Sequence, residues 1–177
     1  MRRSSGAVAS VLVLGAALLS GCVPQDNGGC PVCPRGAGRY PTVLMRFDTI
    51  AHGAHSGVPA ERRLVIRDAA TWEALWAEHV AEEVPPPSVP PVDFTREMVI
   101  AFFWGQKPTS GYEVETTEIA WVEDRIVVRV QESSPRPEDM VLQVLTQPHH
   151  IVQTPRVDLP VEFVVVPAPR EGVQKKR

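Results

Sequence analysis

Seven consecutive apolar residues, Met98 to Trp104, cross the middle of the chain without a polar break. An unbroken apolar run of this length reads as a buried strand, and it is the expected centre of a sheet. Further strand signals follow at short intervals. Tyr112 to Ile119 alternates loosely, and Arg125 to Gln131 places Ile126, Val128 and Val130 on one face. Met140 to Leu145, His150 to Val152 and Val161 to Val166 complete the set, separated by gaps rich in turn residues. Upstream, Val43 to Ile50 and a stretch centred on Leu64 to Ile66 read as strands, with His52 to Pro59 a loop between them. One helix stands out. Asp68 can cap it, and Trp72, Leu75, Trp76, His79 and Val80 recur at three- and four-residue spacings. Two tryptophans on one short helix bury a large area, which predicts packing on a sheet. The prolines between Glu82 and Pro91 end it. The expected class is α+β, a predominantly antiparallel or mixed β-sheet with one packed amphipathic helix. A β-sandwich is the alternative, and it requires the helix to be a peripheral crossover.

The first twenty-two residues bear on location. Arg2 and Arg3 precede an apolar stretch from Ala7 to Leu19, followed by Ser20, Gly21 and Cys22. The stretch is too short for a good spanning helix and reads as an export signal. The pattern resembles the lipobox of bacterial lipoproteins. That resemblance implies a signal peptide over 1–21 and a diacylglyceryl and palmitate anchor on Cys22. The protein would then sit on the extracytoplasmic side of the cell envelope, with several acyl chains giving firm membrane attachment. A plain secretory signal cleaved nearby is the alternative. Val23 and Pro24 replace the Asp signal for inner-membrane retention, which favours the outer membrane where one exists. Residues 22–39 have tether composition, 40–169 read as a single globular domain, and 170–177 as a disordered tail.

Charge and cysteine usage narrow the function. The formal net charge is −3, and losing Arg2 and Arg3 would make the remainder more acidic. Such a domain lacks the basic stripe of a nucleic-acid binder. With Cys22 committed to lipid, Cys30 and Cys33 are left as a candidate disulfide pair in a Gly/Pro-rich setting. Together with His52 and His55 they form a weak candidate metal site, because Cys-x2-Cys and His-x2-His suit tetrahedral zinc but the gap between them is long. No cofactor is expected.

The segment Gly105 to Tyr112 joins the most apolar strand to an amphipathic one, so it must reach the surface. Pro108 and Gly111 shape its backbone, and Thr109 and Ser110 offer hydroxyls to the turn or to a ligand. His149 and His150 are adjacent, so on a strand they point to opposite faces. A hydrolase would need Thr109 or Ser110 beside one of these histidines and a carboxylate. No Gly-x-Ser-x-Gly or His-Glu-x-x-His motif supports that reading, and no catalytic residue is assigned.

The runs GQKPTSGYEVE, VRVQESSP, VLTQPHHIVQTPR and PVEF resemble the C-terminal domain of the PrcB family. WEALWAEH and PPVDFTREMVIAFF look like the entry to that domain, so the likeness extends over about residues 60–166. The family's namesake is an accessory lipoprotein that associates with a secreted subtilisin-like protease and helps to stabilise it. KPTSGY is also similar to the Asn-Pro-Thr-Thr-Gly-Tyr loop of chagasin-type inhibitors, with Lys107 in place of Asn. These resemblances imply a non-catalytic, lipid-anchored domain that binds another extracytoplasmic protein, with a protease as the candidate partner. Its expected contact residues are Lys107, Pro108, Thr109, Ser110, Gly111, Tyr112, Arg136 and His149. The rival readings are an envelope hydrolase with a Ser/Thr–His site and a metal- or thiol-dependent structural envelope protein.

Overall fold

The structure, a computed structural model, describes residues 42–169. Cys22, Cys30 and Cys33, with the segments expected to be an export signal, a tether and a C-terminal tail, lie outside the described residues. Eight strands and one helix follow in the order β1 (Val43–Leu44), β2 (Asp48–Gly53), β3 (Glu61–Ile66), α1 (Ala69–His79), β4 (Glu97–Trp104), β5 (Glu113–Val122), β6 (Arg125–Ser133), β7 (His149–Pro155) and β8 (Val161–Pro167). They form two four-stranded sheets, β2-β7-β4-β3 and β1-β5-β6-β8. Every pairing is antiparallel except β6 with β8. The class is α+β, with the sheet divided in two.

Strand β4 explains the arrangement. Successive side chains of a strand point to opposite faces, so an unbroken apolar run needs cover on both. Val99, Ala101 and Phe103 join the helix-side core with Trp72, Leu75, Trp76, Val80 and Ile151. Met98, Ile100 and Phe102 join a second core between the sheets, with Val114, Ile119, Ile126, Val128, Val130 and Val152. The layers are therefore helix, sheet, sheet, and β4 lies inside both cores. The expected alternation of Ile126, Val128 and Val130 is found, all three fully buried.

Helix α1 begins where expected. The Asp68 carboxylate accepts from the Thr71 amide at 2.9 Å, satisfying one of the helix's unpaired N–H groups. Trp72 and Trp76 are buried, and their indole N–H groups donate to the carbonyls of Pro90 (3.0 Å) and Pro87 (3.1 Å). The proline-rich segment thus does more than stop the helix; it lies back along it. Although α1 connects the antiparallel neighbours β3 and β4, it is part of the core and not a peripheral crossover. Among the described residues no helix is long and apolar enough to cross a membrane.

Two expected strands differ. Val43–Ile50 is broken into β1 and β2, which belong to different sheets, because the chain crosses between layers at residues 45–47. Strand β2 then continues to Gly53, into the expected loop. Met140–Leu145 forms no strand. Met140, Leu142, Val144 and Leu145 are exposed instead of packed.

Candidate functional site

The loop from Gly105 to Tyr112 is bound to the segment that follows β6. Lys107 and Thr146 exchange backbone hydrogen bonds of 2.7 and 3.0 Å, and the Thr146 hydroxyl donates to the Thr109 carbonyl at 2.9 Å. Ser110 grips the centre of the second segment. Its amide donates to the Leu142 carbonyl at 3.0 Å, and its Oγ accepts from the Leu142 amide at 2.9 Å. Gly111 has φ of +87°, and a Cβ there would stand 3.1 Å from Pro135 Cβ. Both the backbone angle and the close approach favour glycine.

This double loop presents an unusual surface. Met140 is fully exposed, while Leu142, Leu145 and Val144 are 72%, 55% and 42% exposed. Isolated exposed apolar residues are ordinary, but four within six positions of one loop concentrate apolar surface as binding sites do. Next to the first loop, Lys107 Nζ lies 4.1 Å from the Trp104 ring centroid and 6.0 Å from that of Tyr112. The two rings meet edge-on at 5.6 Å. The ammonium is thereby held by ring quadrupoles. Glu132 adds a negative charge near it; burial raises the Glu132 carboxyl above its ordinary pKa, with Lys107 opposing that rise.

The expected contact residues divide. Lys107, Thr109, Ser110 and Tyr112 are half-buried in the double loop, and Pro108 and Gly111 are exposed on it. Arg136 is exposed, with its amide donating to the Asp139 carboxylate at 2.7 Å. His149 is a correction. It is only 4% exposed, because the register of β7 places it beside Gly53 on β2 and Phe103 on β4, facing the helix. Sequence reasoning missed this apolar surface, since an apolar run such as Met140–Leu145 reads as a strand wherever it is bound for burial. It missed Trp104 as the seat of Lys107 for the same reason.

A second feature was not expected as a unit. All five histidines of the chain gather where β2 ends and β7 begins. On the helix side, His79 and His149 rings meet at 4.4 Å, and His79 Nδ1 lies 2.9 Å from Ser56 Oγ. His52, His55, His79 and His149 line an open groove of about 420 Å³ with Trp76 and Glu83. Between the sheets, His150 Nδ1 accepts from the Thr116 amide at 2.7 Å. A backbone amide can only donate, so the proton sits on Nε2 and is given to Thr49 Oγ1 at 2.9 Å. His52 Nε2 donates to the Val114 carbonyl at 3.0 Å. His149 and His150 thus point to opposite faces of β7. Burial lowers both to a pKa of about 4, with His79 further depressing His149 and His52 further depressing His150. Burial also lowers His79, partly opposed by Glu83.

The arrangement bears on the other readings. Neither Thr109 nor Ser110 meets a histidine; Thr109 donates to the Ser110 carbonyl and Ser110 binds Leu142. Ser56 stands beside His79, but its Oγ also accepts from the Val58 amide at 3.1 Å within a turn. Among the described residues no three His, Cys, Asp or Glu side chains are grouped to hold a metal ion.

Residues 98–155 match the family model described as PrcB C-terminal. The PrcB C-terminal match runs from β4 through β7, so it contains both halves of the double loop together with His149 and His150. It is shorter than the likeness read from the sequence and leaves β3, α1 and β8 outside. No curated protein and no solved structure matches the chain.

Proposed function

We propose that this chain is a lipid-anchored extracytoplasmic binding domain and acts as the accessory partner of a secreted protease. The observation that carries the reading is the exposure of Met140, Leu142, Val144 and Leu145 on a loop tied down by Ser110 and Lys107. A loop already ordered before binding loses little conformational freedom on contact, so its apolar area goes into affinity. The PrcB C-terminal match over the same residues supports a protease complex as the setting. The acyl group on Cys22 would keep the domain at the membrane where an exported partner passes.

The test is crosslinking capture with the full-length acylated protein as bait, comparing wild type with Met140→Asp/Leu142→Asp. The expected result is an exported protease recovered by the wild type and lost from the variant, with unchanged thermal unfolding. Adding the purified domain to that protease then separates the two modes of action: slower autolysis marks a stabiliser, and lower peptide turnover an inhibitor. Equal recovery of a protease by both baits would remove the double loop from the interface.

A further inference from the structure

Two four-stranded sheets have four outer strands, and three of them are protected against pairing with another chain. Strand β1 is two residues long. Strand β2 has an irregular register between Thr49 and Ala51. Strand β3 opens with Glu61, Arg62 and Arg63, where Arg62 forms a two-pronged ion pair with Glu78 (2.7 and 2.8 Å) and Arg63 binds Glu61 at 2.7 Å. Even the part of β5 that extends past β1 is occupied, since His52 and His150 bind Val114 and Thr116 there.

Strand β8 is the least protected of the four. It is seven residues long and follows β6 in unbroken parallel register from Ile126↔Val161 to Glu132↔Pro167. Its sequence, Val-Glu-Phe-Val-Val-Val-Pro, has a single charge, Glu162, which Arg125 holds at 3.3 Å. Val161, Phe163 and Val165 pack into the core between the sheets, leaving Glu162, Val164 and Val166 on the outer face. Among the described residues no backbone group of β8 hydrogen-bonds to anything beyond β6.

We propose that the free edge of β8 is an interface between two copies of this chain. The strands pair antiparallel about a two-fold axis at Val164, joining two four-stranded sheets into one. The occupant follows from the charge pattern. This register engages the whole strand and sets Glu162 against Val166 of the second copy, with Phe163 against Val165. The two Glu162 carboxylates are then separated by about four residues along the strands, roughly 14 Å and beyond the Debye length. Like charges are not opposed, and valine meets valine at the axis. Pro167, which lacks an N–H, falls at the end of the ladder where its loss matters least. A two-fold pairing also closes, leaving no further edge of this kind to extend into a fibre.

The test uses the full chain in non-ionic detergent. Sedimentation velocity is expected to give a dimer for wild type and for Leu142→Asp, and a folded monomer, with the wild-type far-UV circular dichroism, for Val164→Lys. Under oxidation, Val164→Cys in a Cys30→Ser/Cys33→Ser background is expected to yield a peptide joining two copies at position 164. Glu162→Cys in that background should link far less, because its opposite number is Val166. A monomeric wild type would overturn the proposal. So would a dimer that survives Val164→Lys, or linkage at 162 as efficient as at 164.

Discussion

Acid should destabilise this domain between pH 6.5 and 4, and the cause lies in two histidines. His150 accepts from the Thr116 amide, so a proton on its Nδ1 would face an N–H that cannot turn away. His149 is buried against His79, whose own protonation would place two positive charges together. In the folded protein both have a pKa of about 4 against an ordinary 6.5. The unfolded chain therefore takes up protons first as pH falls. Their contribution is intact above pH 6.5 and is lost progressively as pH falls toward 4. At about 1.4 kcal/mol per pKa unit, each histidine costs about 3 kcal/mol across that window. Two such costs are a large part of the roughly 5–15 kcal/mol that holds a domain together. His79, also lowered, acts in the same direction. Glu132 opposes it, because its raised pKa lets the folded state bind a proton early. Asp68 and Asp93 lie below the ordinary 3.8 and enter only at lower pH. The assay is urea unfolding followed by tryptophan fluorescence at a series of pH values. Stability should fall steeply between pH 6.5 and 4, and His150→Asn, which keeps an acceptor for Thr116 and cannot be protonated there, should flatten the slope. A level profile, or an equal slope in His150→Asn, would refute the reasoning.

Other perturbations test the packing and the double loop separately. Gly57→Ala drives a Cβ into the backbone carbonyl of Glu78, while the Gly57 amide is bound to the His79 carbonyl at 2.8 Å. With backbone on both sides, a loss of about 1–3 kcal/mol is expected in chemical denaturation. Phe103→Ala empties the centre of the helix-side core and should cost about 3–5 kcal/mol by the same measurement. Ser110→Ala removes the acceptor for the Leu142 amide; stability should drop by about 1 kcal/mol or less, with faster hydrogen exchange confined to residues 140–145. Met140→Asp should leave stability within about 0.5 kcal/mol, since the side chain touches little, and any lost binding then reports contact and not folding.

Local pattern was enough for the parts whose burial is set by their own residues. The unbroken run at Met98–Trp104 marked the strand buried on both faces, Asp68 with Trp72 and Trp76 marked the helix, and Ile126, Val128 and Val130 marked one face of β6. The runs around GQKPTSGY also carried the PrcB likeness that the family match bears out over residues 98–155. Tertiary structure decided everything that depends on which elements meet. Val43–Ile50 reads as one strand because alternation is blind to the sheet a residue joins, yet its two halves pair with β5 and β7. Met140–Leu145 has the composition of a buried strand, but it finds no strand to pair with and is held outward by Ser110, a residue 32 positions away from Leu142. The histidines come together from β2, α1 and β7 and the turn after β2, and no spacing in the sequence announces it. Periodicity records which face of an element avoids water; it holds no record of the partner that covers that face.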